Sequence, residues 1–477
     1  MGPKAFIITQ EDSMTSVGSI RTIRIRTKRK VGNLGLLTTA LGDAGASIGE
    51  ITTISIGHTY TIRDFHLVLE DEAHLSQVKE SINELADSSI MEIRNEVRDV
   101  HEGGKIRTQS TIRFDDVSSL QTAYHPGVKE IVHLINGDER LIQRYTSVQR
   151  TVAILSDGGG LQGVGKIRSS AMLPILEAKA ALLAEVAGLN TLPLVVQAST
   201  EDEFVETVQR IQQSCGAVLL DALGAPRSLR IQTKLNDTLP IPVIDDDSDG
   251  PAVATLAALI NACSRANIDI NSAKIGQLGL GAAGGAGSRL IMKFTGQPIW
   301  GEDVHPATLS RHIHQGGKES NLEEIMSTCD VVIANTGHGG VIPSHLVRKG
   351  QVVLALSEPV PEIEPYDALL AGAAFAVDGN AVDKAVVFPG LLLGAMAIGA
   401  RSMTDEMYIA AAVSLAKAAQ DSDLLPTPLT PGIHARIASA VAKAGIRAKV
   451  NTVDTPNDVS PETLQQVIMG ESAIPLC

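Results

Sequence analysis

The sequence predicts an α/β protein in three parts: an N-terminal βαββαβ unit, a second α/β domain, and a doubly wound parallel sheet. Three patterns carry that reading. Apolar and charged residues between 20 and 97 fall into the order strand, helix, strand, strand, helix, strand. Short β-rich runs alternate with helical stretches from Thr151 onward, and a glycine-rich turn at Gly279 joins a strand pattern to a helical one.

Residues 1–19 are polar and mixed in charge, lack the basic-then-apolar order of a signal peptide, and are expected to be a flexible N-terminus. Residues 20–100 form the first unit. Ile20, Thr22-Ile23 and Ile25 alternate with arginines as a half-buried strand; Gly35 to Ala44 is helical; Ile51 to Ile56 and Thr61 to Leu69 are strands; Leu75 to Leu85 is a helix; Ile90 to Val97 closes the unit. The polar stretch His101-Glu102-Gly103-Gly104-Lys105 reads as a linker. Residues 101–265 are expected to form a substrate domain, with strands at Thr151–Leu155, Thr191–Gln197, Ala217–Leu220 and Pro242–Ile244 between helices such as Leu173–Ala187 and Glu201–Gln213. Residues 266–445 form a second α/β domain with strands at Val331–Ala334, Val352–Leu356 and Phe375–Val377, and 446–477 is a C-terminal segment. From Thr404 the chain is mostly helical, Thr404 with Asp405 and Glu406 making an N-cap and acidic first turn.

A chain of 477 residues that is 44 % hydrophobic can build large cores, and with only 3 % aromatics those cores must rest on Ala, Leu, Ile and Val. The net charge of −14 argues against nucleic acid or an anionic membrane as partner, and scarce aromatics argue against base stacking. Cys215, Cys263, Cys329 and Cys477 show no C-x-x-C spacing and read as free thiols; the apolar run Leu391–Ile398 is too short to span a bilayer. A soluble cytoplasmic protein is expected.

The segment Gln277-Leu278-Gly279-Leu280-Gly281-Ala282-Ala283-Gly284 carries the first chemical signal. Glycines at this spacing let the backbone turn tightly and approach a pyrophosphate, which the following helix N-terminus favours electrostatically. Asp303 lies 19 residues past Gly284, where an acid accepts hydrogen bonds from an adenosine ribose. Gly279, Gly281, Ala282, Ala283, Gly284, Asp303, and Asn335-Thr336 after the Val331–Ala334 run are therefore the candidate cofactor contacts. Because a carboxylate disfavours a 2′-phosphate, NAD is expected over NADP. The alternative is a glycine-rich turn without a ligand.

Two resemblances sharpen this. The turn Lys30-Val31-Gly32-Asn33-Leu34 and the exit Asp43-Ala44-Gly45-Ala46-Ser47-Ile48 resemble the ACT domain, a small-molecule-sensing module, although Val31 replaces its usual proline. A ferredoxin-like dimerisation domain without a ligand is the alternative. Farther along, Thr122–Val128, Ser156-Asp157-Gly158, Glu177-Ala178-Lys179-Ala180, Ile241–Asp247, Gly279–Gly284 and Phe388-Pro389-Gly390 resemble, in order, the motifs of bacterial malic enzymes over roughly residues 105–445. The resemblance implies divalent-metal- and NAD(P)-dependent oxidative decarboxylation of malate. By it, Lys179 matches the catalytic base, expected to have a depressed pKa; Tyr124 matches the group that protonates the enol carbon; Asp246 supports the lysine; Asp221 and Asp247 match metal ligands for Mg²⁺ or Mn²⁺. It also implies a homodimer or homotetramer and a possible effector on the ACT-like unit. Taken without the resemblance, Lys179 is a solvated helix residue, Tyr124 a loop residue packed on a core edge, and Asp245-Asp246-Asp247-Ser248-Asp249 a solvated turn. Against the last, four carboxylates in five positions repel one another, and a cation or raised pKa values would relieve them.

The match breaks at one small site. A metal-binding carboxylate is replaced by Leu220, and two asparagines that contact malate in the family align with Glu358 and with Asp383-Lys384. Loss of one acid weakens the expected metal site, and Glu358 faces a dicarboxylate unfavourably. Lys166 and Arg168 add two basic groups to a nearby turn. One expectation is that Lys384 neutralises Glu358 within the pocket; the other is a Glu358–Lys384 salt bridge that preserves packing alone. The functional reading is an NAD-dependent dehydrogenase acting on malate or a related 2-hydroxy acid. Its alternative is a diverged, dinucleotide-binding regulatory protein with little catalysis.

Overall fold

Strict alternation in the first hundred residues places Ile23 opposite Phe65 across an antiparallel pair, so that one sheet face turns inward. The computed structural model describes residues 19–161, 164–420, 423–452 and 458–470. The chain separates into two compact units, with the boundary between Lys105 and Ile106. The first contains β1 (Ser19–Lys28), α1 (Asn33–Asp43), β2 (Ser47–Ile56), β3 (Tyr60–Leu69), α2 (Glu72–Asn83), β4 (Ser88–Arg94) and a short α3 (Glu96–His101). Its sheet runs β2-β3-β1-β4. Ile23, Ile25, Leu37, Leu41, Phe65, Leu67, Val78 and Ile82 fill its core, each fully buried side chain contributing roughly 1.5–3 kcal/mol. Buried Asp64 is held by Arg24 and Arg94, both at 2.7 Å. The second strand starts four residues before the sequence pattern places it, because register shifts near Ile48 and Thr53 interrupt the alternation. Asn95, which accepts from the Arg98 amide, stops β4 and starts a helix that the strand pattern hid.

The second unit opens with α4 (Val117–Ala123), α5 (Val128–Gly137) and α6 (Ile142–Tyr145), none of which buries a residue. Next come β5 (Thr151–Ser156), α7 (Leu173–Ala187), β6 (Asn190–Val195), α8 (Glu201–Ile211), β7 (Ala217–Leu220), α9 (Arg227–Thr238), β8 (Val243–Asp245) and α10 (Asp249–Arg265). Their strands form a parallel sheet in the order β6-β5-β7-β8. A six-stranded parallel sheet follows, built from β9 (Ile275–Leu278), α11 (Ala282–Thr295), β10 (Trp300–Glu302), α12 (Pro306–His314), β11 (Lys318–Glu319), α13 (Leu322–Thr328), β12 (Val331–Ala334), β13 (Val352–Ala355), α14 (Pro365–Leu370) and β14 (Phe375–Asp378). Its order β11-β10-β9-β12-β13-β14 reverses direction at β9, the switch point at which such sheets bind ligands. Helices α15 (Phe388–Ala397), α16 (Asp405–Ala418), α17 (Ile433–Arg447) and α18 (Pro461–Ile468) complete the unit.

One apolar core joins the two parallel sheets. Leu219 of the first and Ile333 of the second belong to the same cluster as Leu256 of α10 and Leu392 of α15. The apolar stretch 379–397 is long enough on length and composition to cross a membrane, but its helical part α15 covers only Phe388–Ala397 and is buried at every residue inside this unit. Thr404 caps α16 by accepting from the Met407 amide, as its acidic first turn predicts. Cys215, Cys263 and Cys329 are free and buried, and burial pushes the first two thiols up to about 11 and about 12, which makes them poor nucleophiles. Cys477 lies outside the described residues, as do 1–18.

Candidate active site

Helix α7 enters with Pro174 in its first turn and leaves through Gly188 in the left-handed conformation. Leu176, Ala180, Leu183 and Ala187 form its buried stripe. Lys179 sits at the edge of that stripe, so its stem is covered while the ammonium reaches the carboxyl ends of the neighbouring strands. The ladder sets up what it meets there. The Asp221 amide donates to Leu155 O and the Asp246 amide to Leu220 O, which brings the ends of β5, β7 and β8 into line. The Lys179 Nζ then lies 2.8 Å from Asp221 Oδ1 and 2.5 Å from Asp246 Oδ2, with only 19 % of its side chain exposed. Asp247 Oδ2 accepts from the Ala222 amide at 3.0 Å.

The electrostatics overturn one expectation. Lys179 is not a lysine of depressed pKa: burial pulls it down, but the charges of Asp246 and Asp221 outweigh burial and hold the ammonium well above its ordinary value. A lowered lysine pKa needs an apolar or cationic surrounding, and this one is acidic. Burial raises the Asp221 carboxyl, Lys179 pulls it down and Asp246 adds to the rise. Asp247 is pushed up to about 6, first by burial and then by Asp221. One ammonium faces three carboxylates, so the cluster carries excess negative charge in a half-dry pocket.

That excess bears on the metal. Asp221 Oδ2 is buried and accepts no hydrogen bond among the described residues. Asp221 and Asp247, one orphaned and one raised by its neighbour, are the carboxylates a divalent cation would relieve. No group of three or more His, Cys, Asp or Glu side chains is arranged as a metal site among the described residues. A small hard cation is commonly held by one or two carboxylates with substrate and water completing its shell, so the residues fit a site of that type.

The acidic run divides by direction. Asp245 and Asp249 turn inward: Asp249 Oδ2 accepts from the Asp245 amide at 3.0 Å and from Gln232 Nε2 at 2.6 Å, and its carboxylate also takes the Tyr408 hydroxyl. Asp245 Oδ1 accepts from the Asp247 amide, and its carboxyl is pushed up to about 8 by burial, Asp247 and Asp249. These two acids shape the turn that presents Asp246 and Asp247. Sequence reading did not separate them, because the partner Tyr408 is remote along the chain.

At the switch point, Gly279 takes φ +80°, and an added Cβ would lie 2.4 Å from Asn335 O. At Gly281, the N-cap of α11, an added Cβ would meet nothing within 4 Å, so the space in front of the helix N-terminus is open and no side chain caps it. Ala282, Ala283 and Gly284 form the first turn of α11. Asp303 closes the loop from the next strand, accepting from the Leu280 amide at 2.7 Å and the His305 amide at 2.8 Å. The Asn335 amide donates to Leu278 O, and Asn335 Oδ1 accepts from Gln277 Nε2.

A residue the sequence reading missed ties the adjoining loops together. Glu362, with no exposed surface, accepts from the Thr336 amide at 2.7 Å, Thr336 Oγ1 at 2.9 Å, Ser357 Oγ at 2.5 Å and the Ser357 amide at 3.2 Å. The Gly337 amide in turn donates to Ser357 Oγ. Thr336 and Ser357, the residue before Glu358, are thereby tied to one buried carboxyl group.

Four predicted residues stand apart from this constellation. Tyr124 follows α4 with 67 % of its surface exposed, and its hydroxyl has no hydrogen-bond partner among the described residues. Asp383 is exposed and caps a short turn through the Ala385 amide. Lys384, half-buried, forms no ion pair with Glu358 among the described residues, so the packing salt bridge is not what holds this corner. Glu358 is exposed beside Gly379.

An open glycine loop at the switch point of a doubly wound sheet, with a lysine clamped by acids at the strand ends of its companion sheet, defines an α/β dinucleotide-dependent oxidoreductase. A family model described as the malic enzyme NAD-binding domain matches residues 347–450. Over 431 residues the chain is 39 % identical to NAD-dependent malic enzyme 1 of Bacillus subtilis (strain 168), covering 90 % of this chain and 98 % of that protein. It is 28 % identical over 453 residues to NAD-dependent malic enzyme of Geobacillus stearothermophilus, covering 90 % and 94 %. The crystal structure of malic enzyme from Pyrococcus horikoshii Ot3 superposes with a TM-score of 0.73 at 27 % identity, covering 79 % of this chain and 94 % of that one. The chain belongs to the malic enzyme family.

Proposed function

We propose that this chain oxidises malate with NAD and decarboxylates the product to pyruvate, and that its acid–base centre is Lys179. The observation that carries this is the Lys179 ammonium held between Asp221 and Asp246 at the strand ends, in a chain so similar to a whole NAD-dependent malic enzyme. The loop Gly279–Gly284 with Asp303 would hold NAD, which would supply the hydride acceptor for C2. Lys179 lies where it can take or return the proton of the C2 hydroxyl, Asp246 orients the amine, and Tyr124 delivers a proton to the enol carbon once carbon dioxide has left. Asp221 and Asp247 would hold a divalent cation, whose positive charge would offset the acids that keep the Lys179 proton in place and would polarise the substrate oxygen. Glu358, Asp383 and Lys384 are proposed to line the substrate side, Lys384 offsetting the charge of Glu358.

The test is NADH formation on malate and a panel of 2-hydroxy acids with and without Mn²⁺. Turnover that requires Mn²⁺ and prefers NAD to NADP by about tenfold or more is expected from Asp303 at the ribose position. Cofactor binding without turnover on any of the acids would defeat the enzymatic reading in favour of a regulatory one. Gly281→Ala gives an independent check on the cofactor. Its methyl group enters empty space, so the melting temperature should stay within about 1 °C of the parent while KM for NAD rises by about tenfold or more, because the pyrophosphate must come close there. An unchanged KM would move the phosphates elsewhere.

A homodimer or dimer of dimers is part of the same proposal. Helices α4 and α5 bury no residue, although Val117, Leu120, Tyr124, Val128, Val132 and Leu134 are large and apolar. A second copy covering that face would account for them and enclose Tyr124. The N-terminal unit is proposed to take a small-molecule effector.

A further inference from the structure

The C-terminal helices build a second charged site remote from the glycine loop and the acid cluster in sequence and in lining residues. Between α16, α17 and the first turn of α18 lies a cleft of about 350 Å³ whose walls include Ser414, Lys417, Arg436, Ser439, Lys443 and Pro461. Helix geometry converges them. Arg436, Ser439 and Lys443 stand at i, i+3 and i+7 on one face of α17, and Ser414 and Lys417 at i, i+3 on α16. Ser439 is nearly fully buried, while the three cations reach solvent.

Two features distinguish this cleft from an ordinary solvated face. The chain has 54 acids against 40 bases, yet among the described residues the cleft is lined by three cations and no carboxylate. Lys417, Arg436 and Lys443 also have no ion-pair partner among the described residues. Asp458, whose carboxyl is held below its usual range by hydrogen bonds from Thr463 and Ser460 with a smaller contribution from Lys443, turns its oxygens to the Ser460 amide, Ser460 Oγ and Thr463 Oγ1.

We propose that this cleft binds a small polyanion. Arg436 and Lys443 are seven residues apart, about 10 Å along the helix axis at 1.5 Å per residue, so a ligand that engages both carries its charges along its length. A polyphosphate or a tricarboxylate meets that requirement and a single inorganic phosphate does not. The cleft volume suits such a molecule, since small-ligand sites run from roughly 300 to 1,000 Å³. This site is independent of the reaction assigned to Lys179.

Titration calorimetry on the full chain, in metal-free low-salt buffer with the cofactor site saturated by NAD, tests it with tripolyphosphate and tricarballylate as probes. At least one probe should bind, and its chemistry tells phosphate from carboxylate recognition. The Arg436→Ala/Lys443→Ala double variant should weaken that binding by about tenfold or more, Lys417→Ala on the facing helix should weaken it about threefold or more, and Arg436→Lys should largely keep it, since the contact is chiefly one of charge in an exposed, salt-screened site. All three side chains reach solvent, so the variants should melt as the parent does. Failure of both probes to bind at millimolar concentration overturns the proposal. So does binding that is indifferent to Lys417→Ala and to the double variant, which would seat the anion elsewhere.

Discussion

Lys179→Met is expected to lower kcat by about 10³-fold or more while leaving the affinity for NAD within about threefold, because a positioned acid–base group contributes roughly 10²–10⁴-fold and this one touches no part of the glycine loop. Methionine keeps the length and apolar stem that cover the edge of α7 but removes the ammonium that Asp221 and Asp246 hold at 2.8 and 2.5 Å. The two acids then face each other without a cation. Breaking a buried pair from one side costs about 3–5 kcal/mol, reduced here because part of the side chain is exposed, so a lower melting temperature should accompany the loss of turnover. The sign of the linkage gives a second readout. In the free protein Lys179 is raised above its unfolded value, so the stability it contributes is complete below about pH 10 and is lost only as pH rises beyond the unfolded lysine value toward the folded one. The deficit of the variant should therefore be present at neutral pH and shrink in strong alkali, and it should also shrink in acid as the Asp221 carboxyl, raised by burial, takes up its proton. Stopped-flow hydride transfer and calorimetry measure both. A variant that turns over at the parental rate would remove Lys179 from the chemistry, whatever its effect on stability.

Much of the fold could be read from the chain because periodicity is local. The alternation around Ile23 and Ile25, the helical stripe at Leu176, Ala180 and Leu183, and the run Val331–Ala334 each state their own element. What escaped was decided elsewhere. The early start of β2 depends on its register with β3, and the helices after Lys105 carry apolar residues that the single chain does not bury. The site follows the same division. The glycine loop is visible because a tight turn has a local requirement. The Lys179 cluster gathers positions 179, 221 and 246, separated by long stretches, and no spacing rule shows that the lysine enters an acidic rather than an apolar pocket. Its motif was recognisable and the direction of its pKa was not, since that direction depends on which charges lie within a few ångströms.

Glu362 is the plainest case of a residue that reads as a solvated loop acid and is in fact wholly buried, and its replacement should be the most disruptive among residues outside the acid cluster. Four donors converge on its carboxylate, two from Thr336 after β12 and two from Ser357 after β13. Glu362→Gln preserves shape but offers one acceptor oxygen in place of two and turns an amide donor toward the donors of one loop. At about 1–3 kcal/mol for each buried donor left unmade, the variant should melt at least about 3 °C below the parent. The kinetic effect follows from what the loops carry. In the proposed function Asn335 and Thr336 border the cofactor side and Glu358 the substrate side, so releasing both should raise KM for NAD and for malate together, and a misplacement of about 1 Å lowers kcat/KM by about 10²-fold. Asp383→Asn, at an exposed acid that holds only its own turn, is the companion variant: it should change malate kinetics without altering KM for NAD. If Glu362→Gln raised one KM and spared the other, the loops would be positioned separately, and the buried carboxylate would be a stability element of one of them alone.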